Sequence, residues 1–356
     1  MTSSEPKFGV WALVNGNWGA KHHPEDPFDA SWRRNRDQVL LAEELGYDST
    51  LVAQHTINPS DDTTAHLEAW TASAALAALT ERIEIITAIK PFLYHPAVLA
   101  KQALQIAEIS QGRFSINVVN GWFKPELEKT GLAGLDHDQR YAYGTEWLEV
   151  VNALSSGERV TYDGRWFSID DLQLVQGDPV TRRPTVYVGG ESDPARDLVA
   201  QHGDVWFING QPIEDVRSLI DSVARRARTG PPVRYALSAY VIARETGAQA
   251  QQAFDEAWEL KRREAAALEA LLKGTDEQAV MFSTFAKNPA VGTNGGTAAG
   301  LVGTYDEVAR RIVQFHELGI ETFMLQFQPV EEEMRRFAEH VVPRVRELTA
   351  TRVGTR

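Results

Sequence analysis

The chain contains no cysteine, which excludes disulfides, thiolate metal sites and thiol nucleophiles. That absence agrees with a reducing compartment, and the cytoplasm is the expected location. No apolar run approaches the roughly 20 residues a membrane-spanning helix needs, so no membrane role is expected. The start, Met1-Thr2-Ser3-Ser4-Glu5-Pro6-Lys7, lacks the charged-then-apolar layout of a secretory signal. Positive charge is scarce: 36 Lys and Arg face 49 Asp and Glu, a net of −13, which argues against general binding to nucleic acid or anionic membranes. Catalytic signatures are missing too. There is no Gly-x-Ser-x-Gly elbow for a serine hydrolase, and no HxxxH spacing for a helical zinc site. No GxGxxG follows the first apolar segment, so a dinucleotide-binding unit finds no support there.

What is present is a regular alternation of short apolar segments with longer helical patterns. Strands are expected at Phe8–Val14, Asp48–Ala53, Ile83–Ile89, Phe114–Val119, Thr185–Val188, Val205–Ile208, Tyr235–Ala243 and Thr322–Phe327. Helices are expected between them at Arg34–Leu45, Leu67–Leu79, Pro96–Ile109, Tyr141–Leu154, Ala195–Gln201, Val216–Arg226 and Glu307–Leu318, with Glu331–Leu348 closing the chain. Eight strands separated by helices predict parallel pairing and, most economically, a closed α/β (β/α)8 TIM barrel; the open doubly wound sheet is the alternative. A single domain of 356 residues is expected, with insertions near 157–175 and 246–300. The first insertion reads as a hairpin turning at Asp163-Gly164. The second holds a long amphipathic helix and a glycine-rich stretch from Asn288 to Gly296, expected to act as a lid over the site.

Barrel enzymes place their chemistry just after the strands, where loops vary while the barrel stays packed. Those positions hold Asn15, Asn17 and Trp18; Gln54 and His55, with His66 and Glu68 beyond; Lys90; Asn120, Trp122 and Glu126; Gly189-Gly190-Glu191-Ser192; Asn209; and Gln328. The set is rich in amides and aromatics and poor in paired carboxylates. It suits holding a planar heterocycle better than acid/base hydrolysis. Val188 to Arg196 reads as strand, flexible turn and helix start, a natural phosphate cradle with Ser192, to which Arg140-Tyr141 adds a guanidinium and a phenol; a plain turn with a capping serine is the other reading. A facial site of His55, His66 and Glu68 is the one metal reading, and polar pocket lining is the simpler account of those residues.

The run Gly112-Arg113-Phe114-Ser115-Ile116-Asn117-Val118-Val119-Asn120-Gly121-Trp122-Phe123-Lys124-Pro125-Glu126 carries the most specific signal, because Asn117 places an amide inside an otherwise apolar strand. With Arg140-Tyr141, Gly189-Gly190-Glu191-Ser192 and Leu301-Val302-Gly303-Thr304, it closely resembles the bacterial-luciferase-like flavin monooxygenases. Within that group it is most similar to the dimethylsulfone and pyrimidine-ring-opening enzymes. The resemblance covers nearly the whole chain. It implies a luciferase-type TIM barrel, reduced FMN (FMNH2) supplied by a separate NAD(P)H:FMN reductase, O2 as co-substrate, and a homodimer or homotetramer. It carries flavin contacts onto Gln54, His55, Asn117, Glu126, Arg140, Tyr141, Gly190 and Ser192. Asn117 and Glu126 fall near the isoalloxazine ring, and Arg140, Tyr141 and Ser192 serve the ribityl chain and phosphate.

The implied chemistry is a flavin peroxide that oxygenates or cleaves the substrate, with no protein nucleophile. Leu51, Ala88 and Asn117 fall on the oxygen niche, and His66 and Trp122 join them as implied site residues. Ala88 stands where the pyrimidine enzyme has a threonine, which removes a hydroxyl donor from the N-5 route and leaves C-4a (hydro)peroxide chemistry open. Alkanesulfonate monooxygenases place an arginine and a histidine on the seventh strand; Ser238 and Tyr240 stand there, which points to a small neutral substrate such as a sulfone, amide or heterocycle. Trp11, Trp18, Trp122 and Phe327 are the expected apolar walls. Two alternatives remain: a deazaflavin-dependent hydride-transfer oxidoreductase on the same barrel, and a non-catalytic flavin-binding protein.

Overall fold

A computed structural model describes residues 5–59, 61–121, 123–132, 134–179, 183–264 and 290–353. Eight parallel strands close into a barrel: β1 (Lys7–Trp11), β2 (Ser49–Val52), β3 (Glu84–Ile89), β4 (Phe114–Val118), β5 (Thr185–Gly189), β6 (Val205–Ile208), β7 (Arg234–Tyr240) and β8 (Ile320–Gln326). They neighbour one another in chain order, and β8 returns to β1 with Phe8 opposite Phe323. Every residue of β2, β4 and β6 is buried, as expected of parallel strands covered on both faces. In such a ring β5 stands across the barrel from β1.

The covering helices are α1 (Trp32–Glu44), α2 (Ala69–Leu79), α3 (Pro96–Ile109), α4 (Lys124–Lys129), α5 (His137–Leu154), α6 (Asp193–His202), α7 (Ile213–Ala224), α8 (Gly247–Arg263), α9 (Tyr305–Glu317), α10 (Val330–Arg336) and α11 (Val342–Val353). Local chemistry sets their ends. Pro96 opens α3 at a position whose N–H has no helical partner. Asp136 and Gln139 form a reciprocal capping box, so α5 begins four residues before the expected Tyr141 and holds Arg140 and Tyr141 in its first turns. The expected closing helix is interrupted at Phe337–Val341 by a π turn, in which Val342 N–H donates to the Phe337 carbonyl. Pro343 follows at once; its ring would crowd the carbonyl four residues back in a regular helix, and the wider turn relieves that clash.

The first insertion forms the expected hairpin, and the seventh strand departs from its expected span. Strands Val160–Asp163 and Ser168–Leu172 pair antiparallel, and Gly164 N–H closes their turn on the Phe167 carbonyl at 2.9 Å. The expected strand Tyr235–Ala243 is broken: β7 ends at Tyr240, and Ile242–Arg244 leaves the barrel to pair with Val302–Thr304. Residues 265–289 of the second insertion lie outside the described residues. No described helix is long and apolar enough to cross a membrane.

Candidate active site

A cavity of about 730 Å³ opens at the C-terminal ends of the strands. Its wall runs from Trp11 and Asn15 after β1, past Leu51, Gln54 and His55, to Ala88, Asn117 and Asn120, and across to Gly190 and Ser192 after β5. It thus spans the barrel mouth.

At the β5 end, Gly190 adopts φ +113°, which an L side chain rarely takes, and an added Cβ would lie 3.1 Å from the Tyr141 hydroxyl. Ser192 occupies the cap position of α6, yet its hydroxyl makes no capping bond. The Ser192 Oγ is buried with no hydrogen-bond partner. A capping serine would use that oxygen on its own helix. Here both the oxygen and the positive end of α6 remain for an external acceptor or anion. Asp193, in the first turn, is drawn outward by Arg226 at 2.8 Å. Arg140 lines the cavity and holds its shape by donating to the carbonyls of Asn120 (3.2 Å) and Leu135 (3.1 Å). The Glu191 carboxyl, also in the wall, accepts from Asn209 N–H at 2.8 Å and twice from Gln211 at 3.0 Å. Burial raises its pKa, and those hydrogen bonds counter only part of the rise, leaving it at about 7.

The middle of the cavity carries amides. Asn117 Oδ1, both side-chain polar atoms of Asn120, and Gln54 Oε1 are buried without partners. Asn120 depends on Gly144 of α5: a Cβ there would stand 2.1 Å from Asn120 Oδ1. At the floor lies a charged cluster, in which Lys90 and His55 line the cavity and Glu126 does not. The Lys90 ammonium is 1% exposed and sits 2.6 Å from Glu126 Oε2, 2.6 Å from the Gln54 carbonyl and 3.3 Å from His55 Nδ1. Glu126 also reaches His55 at 3.3 Å and accepts the Thr56 N–H. Burial alone would raise the Glu126 carboxyl, but the His55 hydrogen bond and the Lys90 charge outweigh it and hold it near 2. Burial, reinforced by the Lys90 charge, pushes His55 down to about 4, so its imidazole is neutral at pH 7.

Buried polar atoms without partners are rare, because each forfeits hydrogen bonds it would have made in water. A row of them from Gln54 to Ser192, ending at a helix N-terminus, fits a flat polar heterocycle that carries a phosphate. The family model of luciferase-like monooxygenases matches residues 7–322. The chain belongs to that family.

This luciferase-like monooxygenase is 30% identical to the FMNH2-dependent dimethylsulfone monooxygenase of Pseudomonas putida, over 98% of each chain. Among solved structures it is similar to a riboflavin lyase with modified FMN and riboflavin, with a TM-score of 0.80 and 21% identity over 96% of this chain and 92% of that one. It is also similar to an F420-dependent secondary alcohol dehydrogenase holding an F420–acetone adduct, with a TM-score of 0.69 and 19% identity over 96% and 99% of the two chains. At such identities the two structures speak for the barrel and not for its cofactor.

The monooxygenase cavity gathers Leu51, Gln54, His55, Ala88, Asn117, Arg140, Tyr141, Gly190 and Ser192 in its wall. Other expected positions fall elsewhere. Glu126 lies under the floor, turned to Lys90 and His55 rather than to the cavity. His66 stands behind the wall, with Nε2 3.0 Å from the His55 carbonyl. Glu68 caps α2 by accepting from Trp70 and Thr71 N–H. Trp122 lies outside the described residues. Trp11 and Trp18 do wall the cavity, but Phe327 does not: its ring packs on Tyr47 and Phe337, on the side of the chain opposite Gln326 and Gln328. Ser238 and Tyr240 are buried, and Gln326 donates to Ser238. Of the glycine-rich stretch expected as a lid, residues 288–289 are outside the described residues. Gly292, Thr293 and Asn294 form part of the wall, with Thr293 N–H on Gln326 Oε1 at 2.9 Å and Gly210 N–H on the Asn294 carbonyl at 2.8 Å.

Lys90 is a strand-end position in the sequence, but its buried pairing with Glu126 is not legible there. Its signal was a single charge ending the apolar strand Ile85–Ile89. A lysine so placed must either snorkel out or find a buried partner, and Glu126 is that partner.

Proposed function

We propose that the chain is an FMNH2-dependent monooxygenase that uses O2 to oxidise a small neutral organic substrate, with reduced FMN delivered by a separate NAD(P)H:FMN reductase. The row of partnerless polar atoms from Gln54 through Asn117 and Asn120 to Ser192 carries this reading. The full-length likeness to a dimethylsulfone monooxygenase supports it.

In this reading, Ser192 Oγ, the N–H groups opening α6 and the Arg140 guanidinium hold the phosphate, and Tyr141 borders it. Leu51, Ala88 and Asn117 bound the ring, with Asn117 Oδ1 as an acceptor waiting for an N–H. Reduced FMN, when bound, supplies the electrons that activate dioxygen. The protein's part is to orient reactants and exclude water. His55 presents a neutral imidazole at the cavity wall, and the Lys90–Glu126 pair at the floor keeps that ring in place. Glu191, near the midpoint of its titration at neutral pH, holds a proton beside the cavity for part of the population. Lys21 is engaged with Asp61 and Lys90 with Glu126, so these two lining cations are matched by carboxylates, while Lys261, also in the lining, is held by the Ala290 and Gly292 carbonyls.

An anaerobic fluorescence titration with oxidised FMN, reduced FMN and a reduced deazaflavin tests the cofactor. Clear preference for reduced FMN is expected. Preference for the deazaflavin would overturn the reading and turn attention to hydride transfer.

A further inference from the structure

Resting on the proposed monooxygenase reading, we infer that the β1 corner of the cavity is the substrate subsite, and that Trp11 Nε1–H and the Asn15 amide donate to the oxygens of a small uncharged sulfone. The barrel places this corner opposite the Ser192 end, with β5 standing across the ring from β1. A flavin anchored by its phosphate at Ser192, with its ring along Asn117, Ala88 and Leu51, leaves the far corner open.

The corner's own chemistry is specific. Trp11 ends β1 and lines the cavity, and its Nε1 is buried with no acceptor. Asn15 follows four residues later, 7% exposed, with both side-chain polar atoms buried and partnerless. Two unused N–H donors in one apolar corner match a group with two acceptor oxygens on one centre. Around them stand aromatic faces: Trp18 lies 5.0 Å from Trp11 and Phe207 lies 5.8 Å from it, centroid to centroid. These suit the alkyl flanks of such a molecule.

The segments that form this corner carry no cation, although Lys21, His22, Lys261 and Arg263 line the same cavity. From Ala12 to Ala20 the chain carries no ionisable side chain, and β6, which supplies Phe207, carries none either. A sulfonate placed there would lose its hydration without gaining a cation. A sulfone brings the same pair of oxygens with no net charge. The partnerless donors also carry a penalty in the free protein that only a ligand or bound water removes.

The test is calorimetric binding of dimethyl sulfone to the full chain saturated with reduced FMN under nitrogen, with methanesulfonate as the charged control. Wild type should bind the sulfone and not the sulfonate. Trp11→Phe keeps an aromatic ring but removes the N–H, and Asn15→Ala removes the amide. Each should weaken sulfone binding about tenfold and leave reduced-FMN affinity within about twofold. Asn15→Ala should also unfold at the same temperature as wild type or higher, since it deletes unsatisfied polar atoms, a result that a structural role for Asn15 would not give. Sulfone affinity unchanged in both variants, or preference for methanesulfonate, would overturn the assignment and leave the flavin reading standing. Failure of wild type to bind reduced FMN at all would overturn both.

Discussion

Replacing Lys90 by methionine should destabilise this protein more than most single substitutions. The side chain is almost wholly buried, and methionine fills nearly the same volume, so packing changes little. What is lost is the ammonium that sits 2.6 Å from Glu126 Oε2 and 2.6 Å from the Gln54 carbonyl. Removing one partner of a buried ion pair costs about 3–5 kcal/mol, because the other charge is left uncompensated. Against a usual stability of about 5–15 kcal/mol this is a large share. The assay is urea unfolding followed by tryptophan fluorescence, comparing Lys90→Met, Glu126→Leu and the double variant. If the pair is the cause, the double variant should recover much of the loss, since two apolar side chains leave no buried charge. A Lys90→Met loss below about 1 kcal/mol, or a double variant as unstable as the sum of its parts, would refute this reasoning.

The same cluster predicts acid sensitivity. Glu126 is held near 2 against an ordinary 4.5, so its contribution to stability is complete above about 4.5 and is lost as the pH falls toward 2. His55 is held near 4 against 6.5; the folded state disfavours its proton, so stability is lost as the pH falls from 6.5 to 4. Both act in one direction, while Glu191, held near 7, gains stability as the pH falls to 4.5 and offsets them there. The urea midpoint should therefore decline below about pH 4.5, and a flat profile from about pH 4.5 to pH 3 would contradict the cluster's electrostatics. Ser192→Ala should weaken reduced-FMN binding by about tenfold or more, through one lost hydrogen bond to a charged group, with the unfolding midpoint unchanged because Ser192 Oγ caps nothing. Equilibrium titration with reduced FMN reads the first effect and urea unfolding the second. Asn117→Ala should slow the reaction of the loaded protein with oxygen and leave FMN binding largely intact; stopped-flow mixing with oxygenated buffer would show the difference, and unchanged substrate oxidation would remove Asn117 from the mechanism.

The barrel was legible in the sequence because each strand is a short apolar run bounded by strong punctuation. Pro96 marked one helix to the residue, and Gly164 marked the hairpin. Misplaced boundaries arose where a cap or a pairing partner far along the chain decides. Asp136 starts α5 earlier than its apolar pattern suggests. Val302–Thr304, some sixty residues downstream, draws Ile242–Arg244 out of the barrel, which no local pattern announces.

The cavity wall was legible through strand ends, and the row from Gln54 to Ser192 follows from that rule. Depth was harder to read. Glu126 sits near the site in sequence, but α4 swings it under the floor, where Lys90 and His55 meet it. Phe327 failed as a wall residue through strand parity: its neighbours Gln326 and Gln328 take the inner side and clamp the wall loops. Asn15 and Trp11 were legible as a strand-end amide and an apolar wall, and only their lack of partners in the folded chain marks them as donors.

The most direct measurement supplies reduced FMN through an NAD(P)H:FMN reductase under 18O2, with dimethyl sulfone and a panel of neutral amides and heterocycles. The account predicts substrate-stimulated oxygen uptake and one labelled oxygen atom in the organic product. Oxygen uptake that no neutral compound stimulates, with no label in any product and with turnover supported by a reduced deazaflavin instead, would contradict it.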